Sequence, residues 1–567
     1  MTNPKTDPPA GSISGPIAAS PASEFATALL AEFITLGVRD LVLSPGSRSQ
    51  ALALAAAQFE RADLLRLHVR VDERSAAFLA LGLAVETRTP VLIVCTSGTA
   101  VANLHPAVLE AAHSGVSLVL LTADRPAELR GIGANQATDQ VGIFGPQVET
   151  LDVPAPTGAD GDAAIAASLA RSALTGMVGP RHLNLAFREP LSGATRLPDV
   201  QPGEWVATAA SGDLLELRPE PGTVVIAGAG AGARAEEAAR ALGAPLLAEV
   251  TSGARFGPNL VAAYRELLTT ANFGDRIQRV VVFGHPTLSR EVPALIERPG
   301  VSTIVVRSTA LDEYNPAHAV NTFADAITVI DDVDAVAASR SWVGRWVAAS
   351  RTLLEQAEPT AASLTDDYVE RAAFAREQLA HLREPVTRRM LTEAVWQASW
   401  PHDRLVVGAS RLIRQLDRTA PGKKIPVHAN RGLAGIDGTI ATATGIAIAS
   451  QMDAAARPGV TRVLLGDLAL LHDAGSLLLA SPGETRPRMQ VIVGNDGGGT
   501  IFDALEVAGS ADQTLFDRVM FTPQSVDLAS LAAAYGWEYR RVETRGDLDP
   551  ALTPTDGQVL IEVGLAR

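Results

Sequence analysis

Apolar residues along this chain switch repeatedly between two periods. Phe25, Leu29, Phe33 and Leu36 recur at helical spacing, with Ser23 as the expected N-cap and Gly37 as the stop. Asp40-Leu-Val-Leu then reads as a short buried strand that enters the turn Ser44-Pro-Gly-Ser-Arg-Ser, and an Ala/Leu-rich helix follows. The grammar repeats with a strand over 67–72, a helix over 75–86, a strand over 91–95, a Thr96-Ser97-Gly98 turn, a helix and a strand over 117–122. Strands alternating with helices at this pitch predict an α/β fold with a parallel sheet covered on both faces.

Later breaks in the pattern divide the chain. Residues 196–222 carry four prolines and no clear period, and read as a linker. A second α/β unit opens with Thr223-Val-Val-Ile-Ala-Gly-Ala-Gly-Ala-Gly, with further strands over 245–248, 279–283 and 301–306. Residues 340–390 are mostly polar and helical, and the next strand is expected over 405–407. The expected organisation is a disordered tail (1–20), a first domain (21–195), the linker (196–222), a central Rossmann-like domain (223–365) and a third domain (366–567). The first and third echo each other: Asp72-Glu-Arg-Ser-Ala, an Ala/Gly-rich helix, a strand, Thr-Ser-Gly and a strand ending at Asp124 match Asn430-Arg-Gly-Leu-Ala, an Ala/Gly-rich helix, a strand, Gly466-Asp467 and a strand ending at Asn495-Asp496.

Composition narrows the class. The 567 residues are 47% hydrophobic but only 4% aromatic, which suits small-residue packing between sheets and helices. A net charge of −15 argues against non-specific binding of nucleic acid or anionic membranes, and makes each arginine near a strand end informative. Cys95 is the only cysteine, so no intramolecular disulfide framework or cysteine metal cluster can form, and a reducing cytoplasm fits best. The tail has no apolar h-region, and the apolar stretch from Thr439 to Met452 is too short to span a bilayer. The ten histidines show no paired ligand spacing.

The strongest chemical pattern lies near the C-terminus. Val463-Leu-Leu-Gly-Asp467 is followed 28 positions later by Asn495, within Val491-Ile-Val-Gly-Asn-Asp-Gly-Gly-Gly. Both polar groups follow apolar strands, so both project at the carboxyl edge of one parallel sheet, where open α/β folds bind ligands. A carboxylate, an amide oxygen and a backbone carbonyl of the glycine run form a hard oxygen set suited to Mg²⁺, which completes its shell with phosphate oxygens and water. Taken singly, each half is more often a strand-end turn using Asp, Asn and Gly for their geometry. Gly228-Ala-Gly-Ala-Gly232 lacks G-x-G-x-x-G spacing and reads as a tight strand–helix turn.

The segment from Gly466-Asp467 through Asn495 is similar to the diphosphate-binding signature of the thiamine-diphosphate enzyme superfamily. Ser44-Pro-Gly-Ser-Arg-Ser, Thr122-Ala-Asp-Arg-Pro-Ala-Glu-Leu, Gly133-Ala-Asn-Gln, Asn430-Arg-Gly and Asn495-Asp-Gly-Gly-Gly-Thr-Ile-Phe together resemble one family within it. That family is the 2-succinyl-5-enolpyruvyl-6-hydroxy-3-cyclohexene-1-carboxylate synthases of menaquinone biosynthesis. The chain departs from its pattern at Thr500, one residue more between the glycine run and Ile-Phe.

The resemblance implies pyrimidine-binding, central and diphosphate-binding domains, with thiamine diphosphate and Mg²⁺ or Mn²⁺ as cofactors. It places Glu73 at N1′ of the aminopyrimidine, Ile436 beneath the thiazolium, and Asp467, Asn495 and Gly497 at the metal. Ser97, Gly98, Ser410 and Leu468 complete the cofactor contacts. Substrate binding would fall to Ser47, Arg48, Arg125, Gln136, Ser410, Arg414 and Arg431, with Ile501 and Phe502 as an apolar wall. The implied substrates, 2-oxoglutarate and isochorismate, each carry two carboxylates, which arginine forks bind bidentately. The implied assembly is a homodimer or a dimer of dimers with the active site between subunits. Another thiamine-diphosphate 2-oxoacid decarboxylase, or an acetolactate-synthase-like carboligase, is the alternative; pyruvate would leave most of the arginines without a role. A non-catalytic nucleotide-binding protein using the Gly228–Gly232 loop is a third reading, against which Glu73, Asp467 and Asn495 stand.

Overall fold

The computed structural model of the chain describes residues 20–206, 212–356, 368–452, 459–479, 483–484 and 486–567. The expected tail, apart from Ser20, lies outside the described residues, as does 207–211 of the expected linker. The first six strands are β1 (Asp40–Leu43), β2 (Arg66–Val69), β3 (Val91–Cys95), β4 (Leu118–Asp124), β5 (Thr150–Val153) and β6 (Arg181–Ala186). They form one parallel sheet in the order β2-β1-β3-β4-β6-β5. Strand β7 (Leu214–Leu217) falls within the stretch read as linker. The central sheet contains β8 (Thr223–Ala227), β9 (Leu246–Ala248), β10 (Arg279–Phe283), β11 (Ser302–Val306) and β12 (Thr322–Ala324), in the order β12-β11-β10-β8-β9. Strand β13 (Ala326–Val329) pairs with β7, and Leu217 joins the core of the central sheet.

The last six strands are β14 (Arg404–Val407), β15 (Val427–His428), β16 (Thr461–Gly466), β17 (Met489–Asn495), β18 (Glu538–Val542) and β19 (Gln558–Gly564). Their order, β15-β14-β16-β17-β19-β18, repeats that of the first sheet strand for strand, again all parallel. The sequence echo is therefore a repeat of topology. Three layered α/β units built on mainly parallel sheets match the expected fold class.

Local starts and stops differ from the pattern in the first domain. The first helix is Pro21–Thr35, beginning after Ser20; Pro21 presets the backbone at the first turn, and Ser23 lies buried inside the helix. Its hydroxyl instead accepts from the Gly193 N–H at 3.0 Å. Strand β2 ends at Val69, and Asp72, expected within that strand, caps the next helix by accepting from the Arg74 N–H at 2.9 Å. That helix, Glu73–Thr87, opens two residues earlier than its apolar period indicated, with Glu73 first. The Gly228–Gly232 segment is a strand–helix turn as read: a Cβ on Gly228 would stand 2.1 Å from Pro286 N.

The Glu73–Thr87 helix and its topological equivalent, Thr439–Ser450, pack face to face between the two related domains. A Cβ on Gly82 would lie 2.0 Å from the Thr442 carbonyl oxygen, and one on Gly445 would lie 2.2 Å from the Leu79 carbonyl oxygen. The backbones therefore touch, which only glycine permits here. Polar contacts fasten the ends. Glu86 meets Arg404 at 2.6 Å and His428 at 3.3 Å; burial would raise its carboxyl, but the hydrogen bonds from His428 and Arg404 bring it down to about 2. Ser75 and Ser476 share a hydrogen bond of 2.8 Å, and Asp473 accepts from the Ile440 N–H at 2.7 Å.

Gly82→Ala should lower the urea midpoint by the equivalent of about 1–3 kcal/mol or more, the usual cost of overpacking. Gly161→Ala, where a Cβ meets nothing within 4 Å and φ is −84°, should stay within about 0.5 kcal/mol of the parent. Equal midpoints for the two variants would show that the helix contact can relax.

Candidate active site

The candidate residues gather at the carboxyl edges of the first and third sheets. In the first, Gly46 seats the β1 turn against the β3 turn: a Cβ there would lie 2.2 Å from Thr96 Cβ. Ser47 and Arg48 follow on that turn as Ser97 and Gly98 follow Thr96, and the Arg48 charge reaches Arg125. Ser97 is fully buried; its hydroxyl donates to the Gln136 carbonyl at 3.0 Å and its own carbonyl accepts from Gln136 Nε2 at 3.0 Å. Arg125 donates to the Gln136 carbonyl at 2.6 Å and to the Ser97 hydroxyl. Burial, then the neighbouring Arg48, draws the Arg125 guanidinium below its ordinary value. Ser47, Arg48, Ser97, Gly98, Arg125 and Gln136 thus form one cluster.

Residues outside the sequence-read set support it. The Gly98 N–H donates to Gln140 Oε1 at 2.9 Å, and Gln140 Nε2 donates to Asn184 Oδ1 at 2.9 Å. The Thr122 hydroxyl also reaches Asn184 and lies 2.7 Å from His182 Nε2. Gly98 needs this hold because its φ of +80° suits only glycine. Glu73 begins its helix half-buried, and its carboxylate makes no hydrogen bond or ion pair with any described residue. Burial raises the Cys95 thiol, and the Glu73 charge raises it further, so the two lie near one another.

In the third domain, the β16–β17 register pairs Gly466 with Gly494, so Asp467, which opens the helix after β16, stands level with Asn495, the last residue of β17. Asp467 is 6% exposed and makes no ion pair among the described residues. Burial pushes its carboxyl up to about 6, against the lowering hydrogen bond from the Leu468 N–H at 2.9 Å; Asp496 adds to the rise. Asn495 Oδ1 accepts from the Gly497 N–H at 3.1 Å, and Gly497 turns at φ +79°. A Cβ on Gly466 would meet nothing within 4 Å, so the edge above the pair is open. A buried carboxylate without a counter-ion, an amide oxygen level with it and a glycine turn fit a hard divalent cation and a diphosphate.

The remaining candidates follow β14, β15 and β17. The Ser410 hydroxyl caps the Arg411–Thr419 helix through the Leu412 N–H at 3.1 Å. On that helix, burial, Arg265 and Arg290 lower the Arg414 guanidinium. Arg431 is 8% exposed and its guanidinium bonds the Thr287 hydroxyl of the central unit at 2.7 Å. Ile436 packs on the core of the last sheet. Ile501 and Phe502 are half-buried on a 3₁₀ turn, Thr500–Ala504. The additional Thr500 is buried; its hydroxyl donates to Asp496, which also accepts from Arg388 at 2.7 Å. Arg411 donates to the Thr500 carbonyl at 3.2 Å. Thr500 therefore ties the apolar turn to the Asn495–Gly497 loop. Sequence reasoning named neither Arg388 nor Arg411, because a lone arginine on a polar helix carries no signal.

Within one chain, no hydrogen bond or ion pair among the described residues joins the first-domain candidates to those of the third. The described residues also hold no cluster of three or more His, Cys, Asp or Glu able to bind a metal. No described helix is long and apolar enough to cross a membrane.

Residues 24–143 match the family model for the thiamine pyrophosphate enzyme N-terminal TPP binding domain. Over 96% of the chain the fold resembles benzoylformate decarboxylase from Polynucleobacter necessarius, with a TM-score of 0.64 and 15% identity, covering 98% of that structure. The matched domain is that of the thiamine pyrophosphate enzymes. Among curated relatives, the chain is 56% identical to the 2-succinyl-5-enolpyruvyl-6-hydroxy-3-cyclohexene-1-carboxylate synthase of Leifsonia xyli, over 97% of this chain and 98% of the relative. It is 54% identical to the synthase of the same name from Clavibacter michiganensis over the full length of both, and 43% identical to that of a Nocardioides species over 97% of each. The chain belongs to the 2-succinyl-5-enolpyruvyl-6-hydroxy-3-cyclohexene-1-carboxylate synthase family.

His182 gives the supporting network a pH dependence. Burial, against the raising effect of Asp152, lowers its imidazole to about 4 from 6.5. The folded chain thus keeps His182 neutral where the unfolded chain would protonate it. Its contribution is fully present above pH 6.5 and is lost as the pH falls to about 4, amounting to about 3 kcal/mol. Denaturant midpoints measured between pH 7 and pH 4 should show this decline, and His182→Gln should flatten it.

Proposed function

We propose that this chain decarboxylates 2-oxoglutarate and joins the remaining four-carbon unit to isochorismate, forming 2-succinyl-5-enolpyruvyl-6-hydroxy-3-cyclohexene-1-carboxylate and CO₂ for menaquinone biosynthesis. The observation that carries the choice of substrates is the set of guanidinium groups at the two sheet edges that form no ion pair among the described residues. Arg48, Arg125 and Arg414 form no ion pair among the described residues, although the chain as a whole carries −15. Two dicarboxylates supply the missing anions; a pyruvate-type substrate supplies one carboxylate.

Thiamine diphosphate, when bound, supplies a nucleophilic thiazolium carbon and an electron sink for decarboxylation. Asp467, Asn495 and the Gly497 carbonyl would hold Mg²⁺ or Mn²⁺ against its diphosphate. Ser97, Gly98, Ser410 and Leu468 would line it, and Ile436 would support it from below. The free carboxylate of Glu73 would hold a proton at pyrimidine N1′. Ser47, Arg48, Arg125, Gln136, Ser410, Arg414 and Arg431 would orient the substrate carboxylates, while Ile501 and Phe502 exclude water from the reacting carbon.

The units at 21–195, 223–365 and 366–567 take the pyrimidine-binding, central and diphosphate-binding roles, with β7 added to the central unit. We infer a cytoplasmic homodimer, or a dimer of dimers, in which the pyrimidine-side residues of one copy face the diphosphate side of another. That no hydrogen bond or ion pair among the described residues joins the two candidate sets within one chain supports that arrangement.

Purified protein with thiamine diphosphate, Mg²⁺, 2-oxoglutarate and isochorismate should consume isochorismate only when 2-oxoglutarate is present. Turnover of pyruvate alone would overturn the reading. Glu73→Gln should keep cofactor binding, seen as thermal stabilisation by thiamine diphosphate with Mg²⁺, yet lose activation. Cofactor C2 proton exchange, followed by NMR, should slow by about a hundredfold or more, within the range general acid–base groups contribute. Parental exchange in that variant would remove Glu73 from its role.

A further inference from the structure

We propose that Glu562 is a positioning residue for the cation centre, fixing which end of the Asn495 amide faces the ligand. The inference rests on reading Asp467 and Asn495 as cation ligands. The two ends of a side-chain amide are nearly equal in size and opposite in chemistry, and only the oxygen can ligate a hard cation. Asn495 Nδ2 donates to Glu562 Oε1 at 2.7 Å. An ionised carboxylate can only accept, so a flipped amide would set oxygen against oxygen. The Gly497 N–H, donating to Asn495 Oδ1, favours the same orientation from the other side.

The fold places Glu562 for this task. It stands opposite Val493 in the β17–β19 register, two residues before the level of Asn495, and side chains two apart share a sheet face. Its neighbours on β19 are the buried apolar residues Leu560, Ile561 and Val563, and Glu562 itself is 7% exposed. Packing alone would be met by an apolar side chain, since a buried carboxylate costs stability unless it is bonded. Its second oxygen, Oε2, accepts from the Tyr539 hydroxyl at 2.6 Å, and Arg541 lies 3.7 Å from Oε1. The carboxylate is thus held through Oε2 by Tyr539, while Oε1 takes Asn495 with Arg541 more distant beside it.

Free Mn²⁺, read by its EPR spectrum, is titrated with the full chain in the presence of thiamine diphosphate. Glu562→Leu should weaken Mn²⁺ binding about tenfold or more, the usual effect of removing a group that orients a metal ligand. Glu562→Gln keeps an acceptor oxygen for Asn495 and should lose no more than about threefold; Tyr539→Phe should lose about threefold. Parental Mn²⁺ affinity in folded Glu562→Leu, with only a lower unfolding temperature of the cofactor-free chain, would overturn the assignment in favour of packing. If the Leu variant does not fold, Tyr539→Phe decides: a threefold loss supports the assignment and parental affinity overturns it. A parent chain that fails to bind Mn²⁺ with thiamine diphosphate would overturn the cation-ligand reading and this inference together.

Discussion

Backbone contact between the Glu73–Thr87 and Thr439–Ser450 helices is the constraint on which the rest of the structure depends. Gly82 and Gly445 let two helices of equivalent topology meet with no side chain between them. That contact fixes the first sheet against the third, and with them the two carboxyl edges that carry the candidate residues. It also explains the composition. The Thr439 helix is buried along nearly its whole length, yet its side chains are Thr, Ala, Ile and Gly, small enough to pack against Leu79, Gly82 and Leu83. A chain relying on aromatic cores could not bring the two units this close.

Because the helix ends are fastened by Glu86, Ser75 and Asp473, the approach is fixed in register as well as in distance. Glu73 and the Asn430–Ile436 loop both sit at the ends of this helix pair. Glu110 adds to the hold by accepting from the Gly432 N–H at 2.7 Å and the Leu433 N–H at 2.8 Å. Positions that must be accurate to a fraction of an ångström are thereby attached to rigid elements.

Much of this was legible in the sequence, because α/β units announce themselves through period and punctuation. The alternation of strands and helices, the three-unit organisation and the level placement of Asp467 and Asn495 follow from apolar runs ending in Gly, Asp and Asn. What stayed hidden were contacts between residues far apart in the chain. Gln140 supporting Gly98, Thr287 holding Arg431 and Glu562 holding Asn495 join segments that no local pattern connects. One signal existed: a glutamate inside the apolar run of β19 is out of place for a buried strand. Thr500 is the reverse case. The sequence marked it as an insertion, and the structure gives it a partner in Asp496. Strand β7 was missed because a four-residue strand among prolines has too few positions to display a period.

The repeated topology puts the two sets of candidate residues at equivalent places in the two units. After the third and fourth strands, the first domain carries Ser97 and Arg125, and the third carries Asp467 and Asn495. Equivalent edges thus present a donor-rich, cationic corner in one unit and an oxygen-rich, anionic corner in the other. A donor-rich corner suits carboxylates, whereas an oxygen-rich corner suits a cation with its diphosphate. The two sets stand on related but separate edges, and the helix pair between the units fixes how one chain holds those edges apart.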